Sequence, residues 1–149
     1  MNRQDARSAR IEMDKNLIPK TEPDEEIDEL ARRILAAAVE VHKHLGPGYL
    51  ESVYEEALSI ELTMMNIPFV RQMPISVQYK DHLVGQSRLD FLVNDMLVVE
   101  LKAVDALLPI HKAQVLSYLK AIQHCLGLII NFNVPVLMRG VQRIILSNE

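Results

Sequence analysis

The chain has 149 residues, a formal net charge of -4 and 49% hydrophobic residues. That length suits one domain with its own core, and the apolar content excludes a fully disordered protein. The charge argues against a surface that grips nucleic acid everywhere, but it leaves room for a local basic cleft.

Residues 1–24 are polar and carry Pro19 and Pro23, so they read as a flexible tail. Residues 25–149 then form the expected domain. Asp24 is a suitable N-cap for a helix in which Ile27, Leu30, Ile34, Ala38, Val41 and Leu45 recur at three- and four-residue steps. Gly46, Pro47 and Gly48 end it. A second helix is expected over 50–65, with Val53, Ala57, Ile60 and Met64 on its apolar side. After Pro68 the pattern alternates. Strands are expected over 70–79, where Pro74 indicates an edge, over 83–93, and over 96–104. Turns at 80–82 and 94–95 make these three an antiparallel meander. Pro109 starts a third helix reaching about residue 124, with Ile110, Ala113, Leu116, Leu119 and Ala121 as its apolar positions. Strands at 126–132 and 141–146 complete an α/β fold with a mixed sheet.

The stretch RLDFLVNDMLVVELK, residues 88–102, places charges inside strands that otherwise read as core. Strand alternation puts Arg88 and Asp90 on one face, Leu89 and Phe91 on the other, and Glu100 with Lys102 on a common face. A short hairpin brings Asp90 near Glu100. Two close carboxylates require a cation or a shared proton at neutral pH. Mg²⁺ suits such oxygen ligands and lowers the pKa of bound water. Lys102 can stabilise phosphate charge or orient water. The bland alternative is an ion cluster of Arg88, Asp90, Glu100 and Lys102 on a solvated sheet face.

Further motifs favour the first reading. Gly48-Tyr49-Leu50-Glu51-Ser52-Val53-Tyr54, Asp90, Glu100-Leu101-Lys102, Gln114-Val115-Leu116-Ser117-Tyr118 and the phrase GLIINFNVP at 127–135 together resemble the PD-(D/E)XK nuclease superfamily. Within it, the sequence looks like the small GxxExxY protein family, over about residues 27–147. The resemblance implies a restriction-endonuclease-like core, a mixed central sheet flanked by helices. It implies metal-dependent hydrolysis of phosphodiester bonds in nucleic acid, with DNA favoured over RNA. Asp90, Glu100, Glu51 and the Leu101 backbone carbonyl are the expected ligands of Mg²⁺ or Mn²⁺. Lys102 is the expected phosphate or water residue, while Gln114 and Tyr118, one helical turn apart, support the site. Glu55 competes geometrically with Glu51. Tyr54 either bonds an acid of the site or is a core aromatic with its hydroxyl at the edge.

Arg88, Lys80, Lys102 and Lys112 are candidates for a basic rim that attracts phosphate. The rival reading is a non-catalytic nucleic-acid-binding or protein-interaction module on the same scaffold. A protein partner or homo-oligomer is compatible with the small size. Apolar runs are short and broken by charge, so no membrane span is expected. The first residues lack the apolar run of a secretory signal. Cys125 is the single cysteine and cannot form an internal disulfide, which fits a reducing cytoplasm. His42 and His44 lack the partners of a zinc site, and no phosphate-binding glycine loop is present.

Overall fold

The computed structural model describes residues 24–147. The expected tail therefore lies outside the described residues, apart from Asp24. That residue caps α1 (Glu25–Leu45), accepting a hydrogen bond from the Ile27 amide at 3.0 Å. Glu25, Glu26 and Asp28 sit at the positive end of this helix, and His42, Lys43 and His44 at its negative end. α1 buries Leu30, Ile34, Ala38 and Val41, as its periodicity dictates.

α2 (Glu51–Met64) follows a short glycine-containing loop in which Gly48 has φ 111°. Its expected apolar face is corrected. Tyr54, Leu58 and Leu62 are buried, whereas Val53, Ile60 and Met64 are exposed. The helix carries apolar residues nearly all round, so two stripes of four-residue spacing compete, and only packing against α1 decides between them.

The sheet contains β1 (Phe69–Tyr79), β2 (His82–Val93), β3 (Leu97–Lys102), β4 (Leu126–Asn131) and β5 (Val141–Ile145), in that spatial order. The first three form the expected antiparallel meander. Lys80 and Asp81, then Asn94 and Asp95, take positive φ at the two tight turns. β1 is an edge strand, which tolerates Pro74 and its missing amide. α3 (Pro109–Ile122) carries the chain over to β4, which pairs parallel with β3, and β5 closes the far edge antiparallel.

Two hydrophobic clusters lie on the faces of this sheet. One joins α1 and α2 to Phe91, Val93, Leu97, Val99 and Leu101. The other joins α3 to Leu89, Leu92, Val98 and Ile129. The expectation that Leu89 and Phe91 share a face is thereby corrected. The same change occurs in β1, where Phe69 packs with the first cluster and Met73 and Ile75 with the second. Both strands of the hairpin are wrung near Asp90, and strict alternation fails there. The far half of the hairpin runs past the end of β3. Ile75 is buried, whereas Val77 and Tyr79 further along the same strand are exposed.

α3 also presents a different face from the expected one. Of the expected positions, Leu119 is buried and Leu116 packs against the second cluster, but Ile110, Ala113 and Ala121 are exposed, and Val115 and Tyr118 are buried in their place. Gln123, in a left-handed conformation, caps the helix just before the expected end. No helix among the described residues is long and apolar enough to cross a membrane.

Candidate active site

β2 and β3 pair only through Phe91–Val93 and Leu97–Val99. At the next rung the strands part, and their backbone amides need other acceptors. Two carboxylates supply them reciprocally. The Asp90 amide donates to Glu100 Oε1 at 2.7 Å, and the Leu101 amide donates to Asp90 Oδ2 at 2.8 Å. The expected proximity of Asp90 and Glu100 is thus realised at the point where the sheet opens.

The electrostatics follow from this geometry. Glu100 is 4% exposed. Burial, then repulsion from Asp90 and a smaller push from Glu51, raises its pKa to about 8, against the opposing Asp90 amide and Lys102. Burial also raises Asp90, with Glu55 adding to the rise while the Leu101 amide, Lys102 and Gln72 oppose it. Burial and mutual repulsion therefore favour protonation within this pair of acids in metal-free protein.

Glu51 opens α2 and remains solvent-accessible, yet its carboxylate has lost enough water to raise its pKa. Asp90 and Glu55 add repulsion, and Lys102 opposes it. Both Glu51 and Glu55 therefore face the acids. Glu55 is bound differently, accepting from Arg71 Nε at 3.1 Å and Gln72 Nε2 at 3.0 Å. Arg71 also donates to Glu56 at 2.6 Å.

Tyr54 takes the core role. Its ring stacks on Phe132 at 4.4 Å, and its hydroxyl donates to the Gly46 carbonyl at 2.6 Å and accepts from the Tyr49 amide at 3.2 Å. This anchors the loop that delivers Glu51. Asn131, 2% exposed, performs a similar service for the segment after Lys102. Its side chain accepts from the Val104 amide at 3.0 Å and donates to the Val104 carbonyl at 2.9 Å.

Tyr118 comes to the acids from α3. Burial raises its pKa, the charges of Glu100 and Asp90 raise it further, and a hydrogen bond with Ser87 opposes the shift. It also lines a groove of about 670 Å³ between α3 and the far half of the hairpin. Gln114 is exposed one turn earlier, and no hydrogen bond joins it to the acids among the described residues. His111 Nδ1 accepts from the Leu108 amide at 3.0 Å and so caps α3. Sequence reading missed Gln72 and Asn131. The hairpin register places Gln72 opposite Asp90, because Arg71 faces Phe91 and Met73 faces Leu89.

Among the described residues, no group of three or more His, Cys, Asp or Glu side chains is arranged to hold a metal by itself. The donors present are nevertheless carboxyl oxygens in mutual repulsion. That set fits a hard divalent cation such as Mg²⁺, which commonly keeps several waters and completes its shell with substrate phosphate.

No curated protein and no solved structure matches the chain. A family model described as the PD-(D/E)XK nuclease superfamily matches residues 28–144. Enzymes of this superfamily generally use divalent metal ions. The mixed five-stranded sheet with flanking helices is the restriction-endonuclease-like core. With the match running from α1 into β5 and covering the paired acids, the chain belongs to the PD-(D/E)XK nuclease superfamily.

Proposed function

We propose that this nuclease-like domain hydrolyses phosphodiester bonds in nucleic acid, with DNA favoured over RNA, using Mg²⁺ or Mn²⁺. The supporting observation is the pair of partly desolvated acids, Asp90 and Glu100, held at the opening of the sheet beside Lys102. Asp90, Glu100, the Leu101 carbonyl and Glu51 would hold the ion. A divalent cation supplies positive charge for the phosphate and acidifies water. Lys102 stabilises negative charge developing on the phosphate and orients the attacking water. Glu51 carries the helix side of the site, and Tyr118 borders it on the α3 side. Gln114, being exposed, is assigned to substrate contact. The Gly48–Tyr54 segment supports placement in the GxxExxY family. Its glycine turns the chain, Glu51 starts the helix and Tyr54 locks the loop.

The test combines calorimetric titration of Mg²⁺ and Mn²⁺ with cleavage of DNA and RNA substrates. Binding should disappear in folded Asp90→Asn/Glu100→Gln protein. Lys102→Ala should abolish cleavage with folding retained. Undiminished metal-dependent turnover in that variant would refute the role of Lys102.

A second reading draws on the same hydrogen bonds. Each acid already satisfies a strand amide, which a purely structural pair would also do. A non-catalytic binding module on this scaffold would bind nucleic acid without metal-dependent cleavage.

A further inference from the structure

Gln72 has φ 52° in the middle of β1, a left-handed conformation that a non-glycine residue rarely adopts within a strand. Continuous pairing flanks it on both sides, so no inserted residue accounts for the conformation. It lies where both hairpin strands exchange one hydrophobic cluster for the other. Such strain persists only where surrounding contacts determine it.

The contacts are specific. Gln72 Nε2 donates to Glu55 Oε1 at 3.0 Å and to Asp90 Oδ1 at 3.4 Å. Glu55 is itself fixed through its other oxygen by Arg71. The second oxygen of Asp90 is fixed by the Leu101 amide. One carboxamide therefore spans two acids on different elements, and each acid is tied down at its far oxygen.

We propose that Gln72 is the positioning residue for Asp90. Its carboxamide, braced by Glu55 and Arg71 at the α2–β1 contact, sets the direction of the Asp90 carboxylate at the open end of the sheet. The value of that direction for metal binding rests on the function proposed above; the positioning itself does not. An amide suits the task. It donates to both acids while adding no charge that would compete with a cation, whereas Lys or Arg would neutralise the site. A carboxylate at this position would repel both neighbours.

Gln72→Met keeps side-chain length and removes the donor. Gln72→Gly removes the donor and relieves the left-handed backbone, so it protects against a result that reflects misfolding alone. The primary readout is amide hydrogen exchange of metal-free protein, comparing Leu101 with Ile129 on β4. Loss of positioning frees the Asp90 carboxylate and accelerates Leu101 exchange by about tenfold relative to Ile129 in both variants. A merely structural role would change both amides together. Unchanged relative exchange of Leu101 overturns the proposal. Calorimetric titration with Mn²⁺ then tests the underlying reading, with about tenfold weaker binding expected in both variants. Accelerated Leu101 exchange in a protein whose wild type binds no Mn²⁺ would support Gln72 as positioning residue and refute a metal site preformed without substrate.

Discussion

Replacing Glu100 with Gln should stabilise the metal-free protein at alkaline pH. Gln keeps the shape and an oxygen for the Asp90 amide, but cannot ionise. In the native protein the folded-state pKa of Glu100 is raised from 4.5 to about 8. The favourable contribution of the protonated carboxyl is complete below the unfolded value and is lost as pH rises through about 8. At about 1.4 kcal/mol per pH unit this shift sets a ceiling of about 5 kcal/mol, and relaxation with water entry brings the expected difference to about 2–3 kcal/mol. The assay is urea unfolding of both proteins in chelator at about pH 5 and about pH 9. Their stabilities should nearly coincide at the lower pH and diverge at the higher, with Glu100→Gln the more stable. Divalent metal should stabilise the wild type at the higher pH and leave the variant unaffected. Parallel pH dependences in the two metal-free proteins would refute the assignment of a desolvated, repelled carboxyl at this rung.

Tyr54→Phe retains the ring stack on Phe132 but loses the bonds to Gly46 and Tyr49. It should cost about 1–2 kcal/mol in urea unfolding, and an unchanged midpoint would show that the hydroxyl does not brace the loop. Asn131→Ala strips the partners from the Val104 amide and carbonyl and should cost about 2–4 kcal/mol. A loss below about 1 kcal/mol would mean that water replaces this clamp.

The strand meander was legible because its punctuation is chemical. Asn94-Asp95 and Lys80-Asp81 mark tight turns, and Pro74 marks the edge. The phase of α1 was legible because its polar side is heavily charged. α2 and α3 were misread because apolar residues surround them, so spacing supports more than one buried face. Asp90 and Glu100 emerged from their cost as charges within apolar strands. Alternation then misplaced Leu89, because it assumes a strand that keeps its faces throughout. Gln72 was invisible for a related reason: nothing in a glutamine side chain announces a left-handed backbone. The hydroxyl of Tyr54 had two plausible destinations, and only the folded loop around Gly46 decides between them.

The exchange of faces in the hairpin also governs how accurately the acids are placed. Below the rung Phe69, Phe91 and Val93 are gripped by the α1–α2 cluster and Leu92 by the α3 cluster, and beyond it Met73, Ile75 and Leu89 are gripped by the α3 cluster. Asp90 is consequently clamped fore and aft by two independent packings, as a workpiece is held in two vices. Its tolerance is inherited from densely packed strands, and no mobile loop has to close to set it. On the function proposed above, a substrate arriving at the open end of the sheet would meet acids whose spacing is already determined.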